Sequence, residues 1–378
     1  MPQRWDIFCT VVDNYGDIGV CWRLTKQLAG RHHKTVRLWV DDLPRFACIE
    51  PAINPALLCQ NVYGIEIYRW QIEWNAVEPA DVVIEAFACE LPDAYVQAMR
   101  QRERQPVWIN LEYLSAEAWV CRYHGLPSPH PRFPLTKTFF FPGFTPETGG
   151  LLREYNLLQQ RNSWDATAEQ NFFQQKHLSR CDSGVLRISL FGYDTAPVQC
   201  VTDLLAESTL PVVLIVPAGS LANQIGARFN YPLPVTNVLI EHGSLTIQII
   251  PFLTQDEYDR LLWSCDLNFV RGEDSFVRAQ WAGKPFIWNI YPQSEGVHWK
   301  KLAAFLDLYT EKMPAKVAES VRDMWLGWNG KIGLNASIWK RFLDLRVFLL
   351  QHNQDWIDQI SSHDDLVSSL VRFAGNKL

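Results

Sequence analysis

The sequence predicts an α/β protein built from two doubly wound, Rossmann-like domains, and three observations carry that expectation. The chain has 378 residues, 48% of them apolar, enough to bury a large core and longer than one domain usually runs. Short β-branched and aromatic runs alternate with helix-spaced segments, and the alternation breaks and restarts near residue 184. Each stretch contains one strand–loop–helix junction rich in glycine and carboxylates, Asp13–Gly19 and Arg271–Ser275, where open parallel sheets bind their ligands.

The first half opens on the strand-like run Trp5–Val12 (WDIFCTVV), followed by the loop Asp13-Asn14-Tyr15-Gly16-Asp17 and by Val20, Leu24 and Leu28 at helical spacing. Further strand-like runs at Lys34–Val40, Ile65–Trp70, Asp81–Phe87, Pro106–Leu114 and Thr138–Phe144 continue a βα pattern, so a first domain is expected over 1–155. Leu157–Ser183 is polar, Gln-rich and helix-prone, which suits a connector over 156–183. Gly184–Tyr193 restarts the alternation, with Pro211–Gly219, Leu245–Leu253, Leu267–Val270 and Lys284–Tyr291 as the later strands of a second domain over 184–345. Thr254 and Glu257 have the spacing of a capping box that opens the helix Glu257–Cys265, and Ser275–Gly283 reads as the helix after the second loop. The pattern is helical after Gln293, and the helices of 346–378 are expected to pack back on the first domain.

Composition excludes several classes. A net charge of −6 argues against nucleic acid as a partner, because that would call for a basic face, and any anionic ligand must be held by local groups. Sixteen Trp and twenty Phe are expected to be core or inter-domain packing rather than binding platforms. The nine cysteines are odd in number, widely spaced, without a CxxC pair and set among apolar neighbours, so they predict reduced core thiols. The amino terminus enters the first strand at once, and no apolar stretch approaches the ~18 residues of a span. A cytoplasmic protein with no membrane partner is expected. No HExxH, no DxD and no other metal-ligand spacing occurs, so no metal cofactor is expected.

The loops carry the chemistry. Taken alone, Asp13–Gly19 is better explained as a turn whose Asp and Asn cap a helix and whose glycines take φ > 0. Arg271-Gly272-Glu273-Asp274-Ser275 offers what a pyrophosphate needs: close backbone approach at glycine, amides at a helix amino terminus and a flanking Arg, with Arg278 one turn further on. Two such junctions in two halves favour a cleft over two unrelated caps. Neither half carries GxGxxG or GxxxxGK[ST], which disfavours dinucleotide and Walker-type binding and leaves a sugar nucleotide. Twin doubly wound domains facing across a cleft, a phosphate loop in the second and no metal motif are the arrangement of metal-independent GT-B glycosyltransferases.

A closer resemblance lies in three segments. DNYGDIGVCWRLTKQLA, PFLTQDEYDRLLW and RGEDSFVRAQWAGKPFIWNIYPQ resemble, in order and without departure, the bacterial protein-arginine rhamnosyltransferases of the EarP family, which modify translation elongation factor P. The resemblance implies an inverting enzyme that moves L-rhamnose from dTDP-β-L-rhamnose to a guanidino nitrogen of one Arg on that factor. The chemistry suits the first loop, because a protonated, delocalised guanidinium is a poor nucleophile unless carboxylates bind it and take a proton. Asp17 is expected as general base and Asp13 as the group that orients the acceptor, though the two could exchange roles. Glu273 carries over as a third functional carboxylate. Tyr15 and Gly16 are candidates for the sugar, Asn14 for substrate binding, and Phe252 for stacking on thymine. Tyr193, Gln255 and Tyr291 are candidates for base or ribose, and Arg271, Gly272, Asp274 and Ser275 for the pyrophosphate. Without the resemblance Phe252 would read as a core aromatic, and His298, on a helix face beside Lys300 and Lys301, reads as surface. Two other readings fit the same loops: a sugar-nucleotide epimerase of the same architecture, and a non-catalytic module that binds the sugar nucleotide or the translation factor.

Overall fold

The structure, a computed structural model, describes residues 3–13, 15–70, 77–178 and 184–378. They form two compact units, Met1–Glu154 with Gln359–Leu378, and Tyr155–Asp358.

The first unit holds β1 (Arg4–Cys9), α1 (Gly16–Gly30), β2 (Thr35–Val40), α2 (Leu43–Ile49), β3 (Cys59–Val62), β4 (Ile65–Arg69), β5 (Val82–Ala86), α3 (Asp93–Gln101), β6 (Val107–Leu111), α4 (Trp119–Tyr123), β7 (Pro127–Pro129) and β8 (Thr136–Phe140). The strands form one sheet in the order β3-β4-β2-β1-β5-β6-β8-β7, parallel except for β3 and β7 at its edges. Its central strands are apolar on both faces, as a helix-covered sheet requires: Trp5, Ile7, Phe8 and Cys9 are fully buried. Among the exceptions is Asp6, fully buried in mid-strand. Arg37 donates to both its oxygens at 2.6 Å, and the Ala80 amide and Tyr95 hydroxyl donate as well, so the buried charge is matched on every side.

The second unit holds α5 (Leu157–Asn162), α6 (Ala166–Gln175), β9 (Leu186–Leu190), α7 (Val198–Ala206), β10 (Val212–Pro217), α8 (Ser220–Arg228), β11 (Val238–His242), β12 (Leu245–Ile250), α9 (Gln255–Ser264), β13 (Leu267–Arg271), α10 (Asp274–Ala282), β14 (Phe286–Asn289), α11 (His298–Thr310), α12 (Ala315–Trp328), α13 (Ala336–Asp344) and most of α14 (Arg346–Ser361). Its sheet runs β11-β12-β10-β9-β13-β14, with β11 alone antiparallel. The stretch after Leu157, expected as a connector, is instead part of this unit: Phe172 and Phe173 of α6 are buried against Val213, Ile215, Ile250 and Leu261. Its polar composition is the solvent face of an amphipathic helix. Residues 179–183 of that stretch lie outside the described ones.

The final helix α15 (Leu366–Lys377) belongs to the first unit, whereas 346–358 stay with the second, where the Trp356 indole donates to Gln280 at 2.9 Å. Asp365 caps α15 through the amides of Val367 and Ser368, and the Leu366 amide bonds the Leu151 carbonyl at 3.0 Å.

Several expected strands stop short at their carboxyl ends. Trp5–Val12 pairs only as far as Cys9, and Lys284–Tyr291 only from Phe286 to Asn289. The residues beyond turn to loop partners; the Val11 amide, for example, bonds Asp41 at 2.9 Å. The cysteines also depart from expectation in part: Cys9, Cys21, Cys89 and Cys265 are buried thiols, but Cys48 and Cys59 are exposed. No disulfide joins the described ones. The aromatics pack: Trp5, Trp22, Trp281, Trp325 and Trp328 are among the largest fully buried side chains, and Phe276 stacks on Trp288 at 4.0 Å.

Candidate active site

In the first unit the carboxyl end of β1 gives way to the loop before α1. Asp17, in the first turn of that helix and only 2% exposed, folds back so that one oxygen, Oδ2, accepts from both the Val12 and Asp13 amides at 2.8 Å. The Gly16 amide bonds the Asp13 carbonyl at 2.6 Å, and a Cβ at Gly16 would lie 2.7 Å from Asp13 Oδ2. Glycine is therefore what lets the half-buried Asp13 carboxylate lie against the start of the helix. Tyr15 occupies the N-cap position without a side-chain cap bond, and Asn14 lies outside the described residues.

Burial raises the Asp17 carboxyl above its ordinary value, the Asp13 and Val12 amides oppose that rise, the Asp13 charge adds to it, and a hydrogen bond from the Tyr113 hydroxyl opposes it. A buried carboxylate of raised basicity beside a more accessible one suits cation binding coupled to proton removal.

In the second unit β13 ends at Arg271, Gly272 turns with φ 62°, and α10 begins at Asp274. The Trp288 indole donates to the Gly272 carbonyl at 2.8 Å, and the Arg271 amide donates to Ser275 Oγ at 3.1 Å, so the turn is fixed from both sides. The Arg271 guanidinium lies 4.3 Å from the Phe191 ring centroid and 4.8 Å from that of Tyr193, and donates to the Gly192 carbonyl at 3.4 Å. Two aromatic faces thus hold the cation beside the amides of a helix start, an arrangement suited to an anion.

The other expected residues of this unit gather at the same sheet edge. Phe252 is half-buried with its ring edge-on to Phe191 at 6.2 Å. Gln255 opens α9, and its side-chain amide donates to Asp274 at 3.2 Å, tying that helix to the Arg271 loop. The Tyr193 ring is edge-on to that of Tyr291 at 5.4 Å. Glu273 is half-buried at the N-cap position of α10, its carbonyl accepting from Val277.

Arg278 does not belong with the phosphate loop. It is 2% exposed and pairs with Asp259 through two bonds of 2.9 and 2.7 Å, bracing α9 against α10. His298 accepts from the Gln293 amide at 3.1 Å, and burial lowers its basicity. Among the described residues no group of three or more His, Cys, Asp or Glu is placed to hold a metal ion.

Three features escaped sequence reasoning. Phe191, beneath Arg271, closes the segment that ends at Tyr193, and its place after a strand was the available signal. Buried Asn289 and half-buried Asn329 form a relay: Asn289 accepts from the Tyr193 amide at 2.7 Å and donates to Asn329 at 3.1 Å, and Asn329 also accepts from the Ile290 amide at 2.9 Å. Tyr113, two residues beyond the end of β6, favours the charged form of Asp17, and nothing local marks it.

Comparison with known proteins shows the family. The family described as Elongation-Factor P (EF-P) rhamnosyltransferase EarP matches residues 5–375. A protein-arginine rhamnosyltransferase of Pseudomonas putida is 47% identical over 380 residues and spans 100% of both chains. One from Pseudomonas aeruginosa is 46% identical over 371 residues, covering 98% of each. A solved structure of EarP-mediated arginine glycosylation of translation elongation factor EF-P superposes with a TM-score of 0.71 at 34% identity over 100% of both chains. The fold is the α/β GT-B type, and the chain belongs to the EarP family of EF-P rhamnosyltransferases.

Proposed function

We propose that this chain transfers L-rhamnose from dTDP-β-L-rhamnose, with inversion at the anomeric carbon, to a guanidino nitrogen of an Arg on translation elongation factor P, in the cytoplasm and without a metal ion. The observation that carries the reading is the Asp17 carboxylate, 2% exposed and held by two backbone amides beside Asp13 in a family whose relatives are protein-arginine rhamnosyltransferases.

The guanidino nitrogen attacks the anomeric carbon while the bond from that carbon to the diphosphate oxygen breaks. The bonding pair leaves with dTDP, and the proton of the attacking nitrogen passes to Asp17. Asp13 binds the rest of the guanidinium, Tyr15 and Gly16 contact the sugar, and Glu273 is the functional carboxylate of the second unit. Arg271 and the amides of Asp274 and Ser275 take up the charge that grows on the departing diphosphate. Phe252 stacks on thymine, with Tyr193, Gln255 and Tyr291 at base and ribose. No helix of the described residues is long and apolar enough to cross a membrane.

Intact-mass spectrometry of elongation factor P incubated with the protein and dTDP-rhamnose tests the reading. The expected product carries one added deoxyhexose, lost when the acceptor Arg is replaced and retained in EDTA. An unmodified acceptor with consumption of free dTDP-rhamnose would overturn it.

A further inference from the structure

Strand β14 ends at Asn289, which pairs with Arg271 in the β13–β14 register and is 2% exposed. The Phe191 amide bonds the Phe269 carbonyl at 3.0 Å, and the chain after β9 then crosses the carboxyl end of β13, where Asn289 Oδ1 takes the Tyr193 amide at 2.7 Å. The crossing is tight. A Cβ at Gly192 would lie 2.9 Å from Leu221 and 3.3 Å from both Asn289 Oδ1 and Trp328.

Asn329, just past the carboxyl end of α12, fixes the sense of the arrangement. Its Oδ1 accepts from the Ile290 amide at 2.9 Å, and its Nδ2 donates to the Trp288 and Trp325 carbonyls, each at 2.8 Å. A backbone amide only donates and a carbonyl only accepts, so the Asn329 side chain cannot turn over without setting donor against donor. Asn289 must then present Nδ2 to Asn329, 3.1 Å away, and Oδ1 to Tyr193.

The two rings of the proposed nucleotide site hang on this pair. Tyr193 is held by its own amide and Tyr291 by the amide of Ile290 before it, and the rings meet edge-on at 5.4 Å. Arg271 follows, because its guanidinium lies 4.8 Å from the Tyr193 ring centroid and donates to the Gly192 carbonyl at 3.4 Å.

We propose that Asn289 and Asn329 are positioning residues for the donor: they set Tyr193, Tyr291 and Arg271 in the geometry that takes a nucleoside diphosphate, and so raise its affinity without touching it. The proposal rests on that ligand binding in this unit. A site ordered beforehand loses less freedom on binding than one its ligand must order. Neither side chain ionises, so the effect falls on affinity and not on proton transfer.

The test is Asn289→Ala and Asn329→Ala in the full chain, with dTDP affinity by calorimetry, KM and kcat for dTDP-rhamnose, and thermal melting. Each variant should bind dTDP about tenfold more weakly, the weight of one or two lost hydrogen bonds, and raise KM for dTDP-rhamnose with little change in kcat. If Asn289→Ala does not fold, Asn329→Ala decides, since that residue is only half-buried. A lower melting temperature is expected whichever role the pair has. Wild-type dTDP affinity in the folded variants would make the pair merely structural and overturn the proposal. A double-mutant cycle gives the second readout: adding Asn289→Ala to Tyr193→Ala should weaken dTDP binding by less than it does in the wild type, and full additivity overturns the proposal. Tyr193→Ala and Arg271→Ala alone separate the two readings. Wild-type affinity in both removes the nucleotide from this unit and the proposal with it, whereas weakened binding there beside unaffected Asn289→Ala and Asn329→Ala overturns only the positioning role.

Discussion

At the residue scale, the two carboxylates of the first loop differ in burial and in partners, and those differences support the separate roles proposed for them. Asp17 is buried and amide-held, so its replacement removes a proton acceptor without disturbing the donor residues of the other unit. Asp17→Asn should lower turnover about 10²–10⁴-fold, the usual weight of general-base catalysis, with dTDP affinity unchanged by calorimetric titration. Asp13→Asn should act more on the KM for the acceptor. Gly16→Ala isolates placement from charge. Alanine suits a helix better than glycine by about 1 kcal/mol, and the atom a Cβ would strike is the far end of the Asp13 side chain, which can swing aside. The variant should melt no lower than wild type yet transfer rhamnose poorly. Normal transfer in Gly16→Ala would show that the position of the Asp13 carboxylate does not matter.

At the element scale, the junction of β13 and α10 is built so that the donor residues need not also hold the fold. Bracing comes from the Thr254–Glu257 capping box, whose two bonds measure 3.0 and 3.4 Å, and from the buried Asp259–Arg278 pair. Removing one partner of such a pair leaves an uncompensated charge in the core. Arg278→Met should therefore cost about 3–5 kcal/mol by denaturant unfolding, while the protein that remains folded binds dTDP with wild-type affinity. Weakened binding instead would return Arg278 to the phosphate site. Arg271→Ala and Phe252→Ala should show the opposite pattern. The first loses a charge-assisted contact and the second a base stack worth roughly 1–3 kcal/mol, with little loss of stability in either. Calorimetry with dTDP and a thermal melt on each variant give both readouts.

At the scale of the whole molecule, the chain forms two units, each with its own sheet, and the polypeptide returns to the first through α15. Leu366, Val367 and Leu370 of that helix are at most 1% exposed, so the carboxyl terminus is part of the first core. The residues proposed to bind the nucleotide all lie in the second unit. Saturating dTDP should therefore slow hydrogen exchange across 191–193, 252–258 and 271–277, because a ligand that binds only the folded form suppresses its opening. The β1–α1 loop should exchange as before. Protection confined to residues 10–17 would place the nucleotide in the wrong unit.

The alternation of strands and helices, the two glycine- and acid-rich junctions and the capping box at Thr254 were all legible in the sequence. Each depends on residues within a few positions of one another, where turn, cap and period rules act. What the tertiary structure decided depends on strand register and packing between distant segments. Arg278 looks like a phosphate ligand from its place one turn past the loop, and only the packing of α9 on α10 turns it into the partner of Asp259. The polar stretch after Leu157 looks like a connector until Phe172 and Phe173 find the sheet. Phe191 beneath Arg271, and Tyr113, which favours the charged form of Asp17, come from strands 80 and 96 residues away in sequence, brought alongside by parallel pairing. The sequence by itself determined which loops could do chemistry; burial and cross-strand partners, which no local pattern encodes, decided how each carboxylate and each arginine is held.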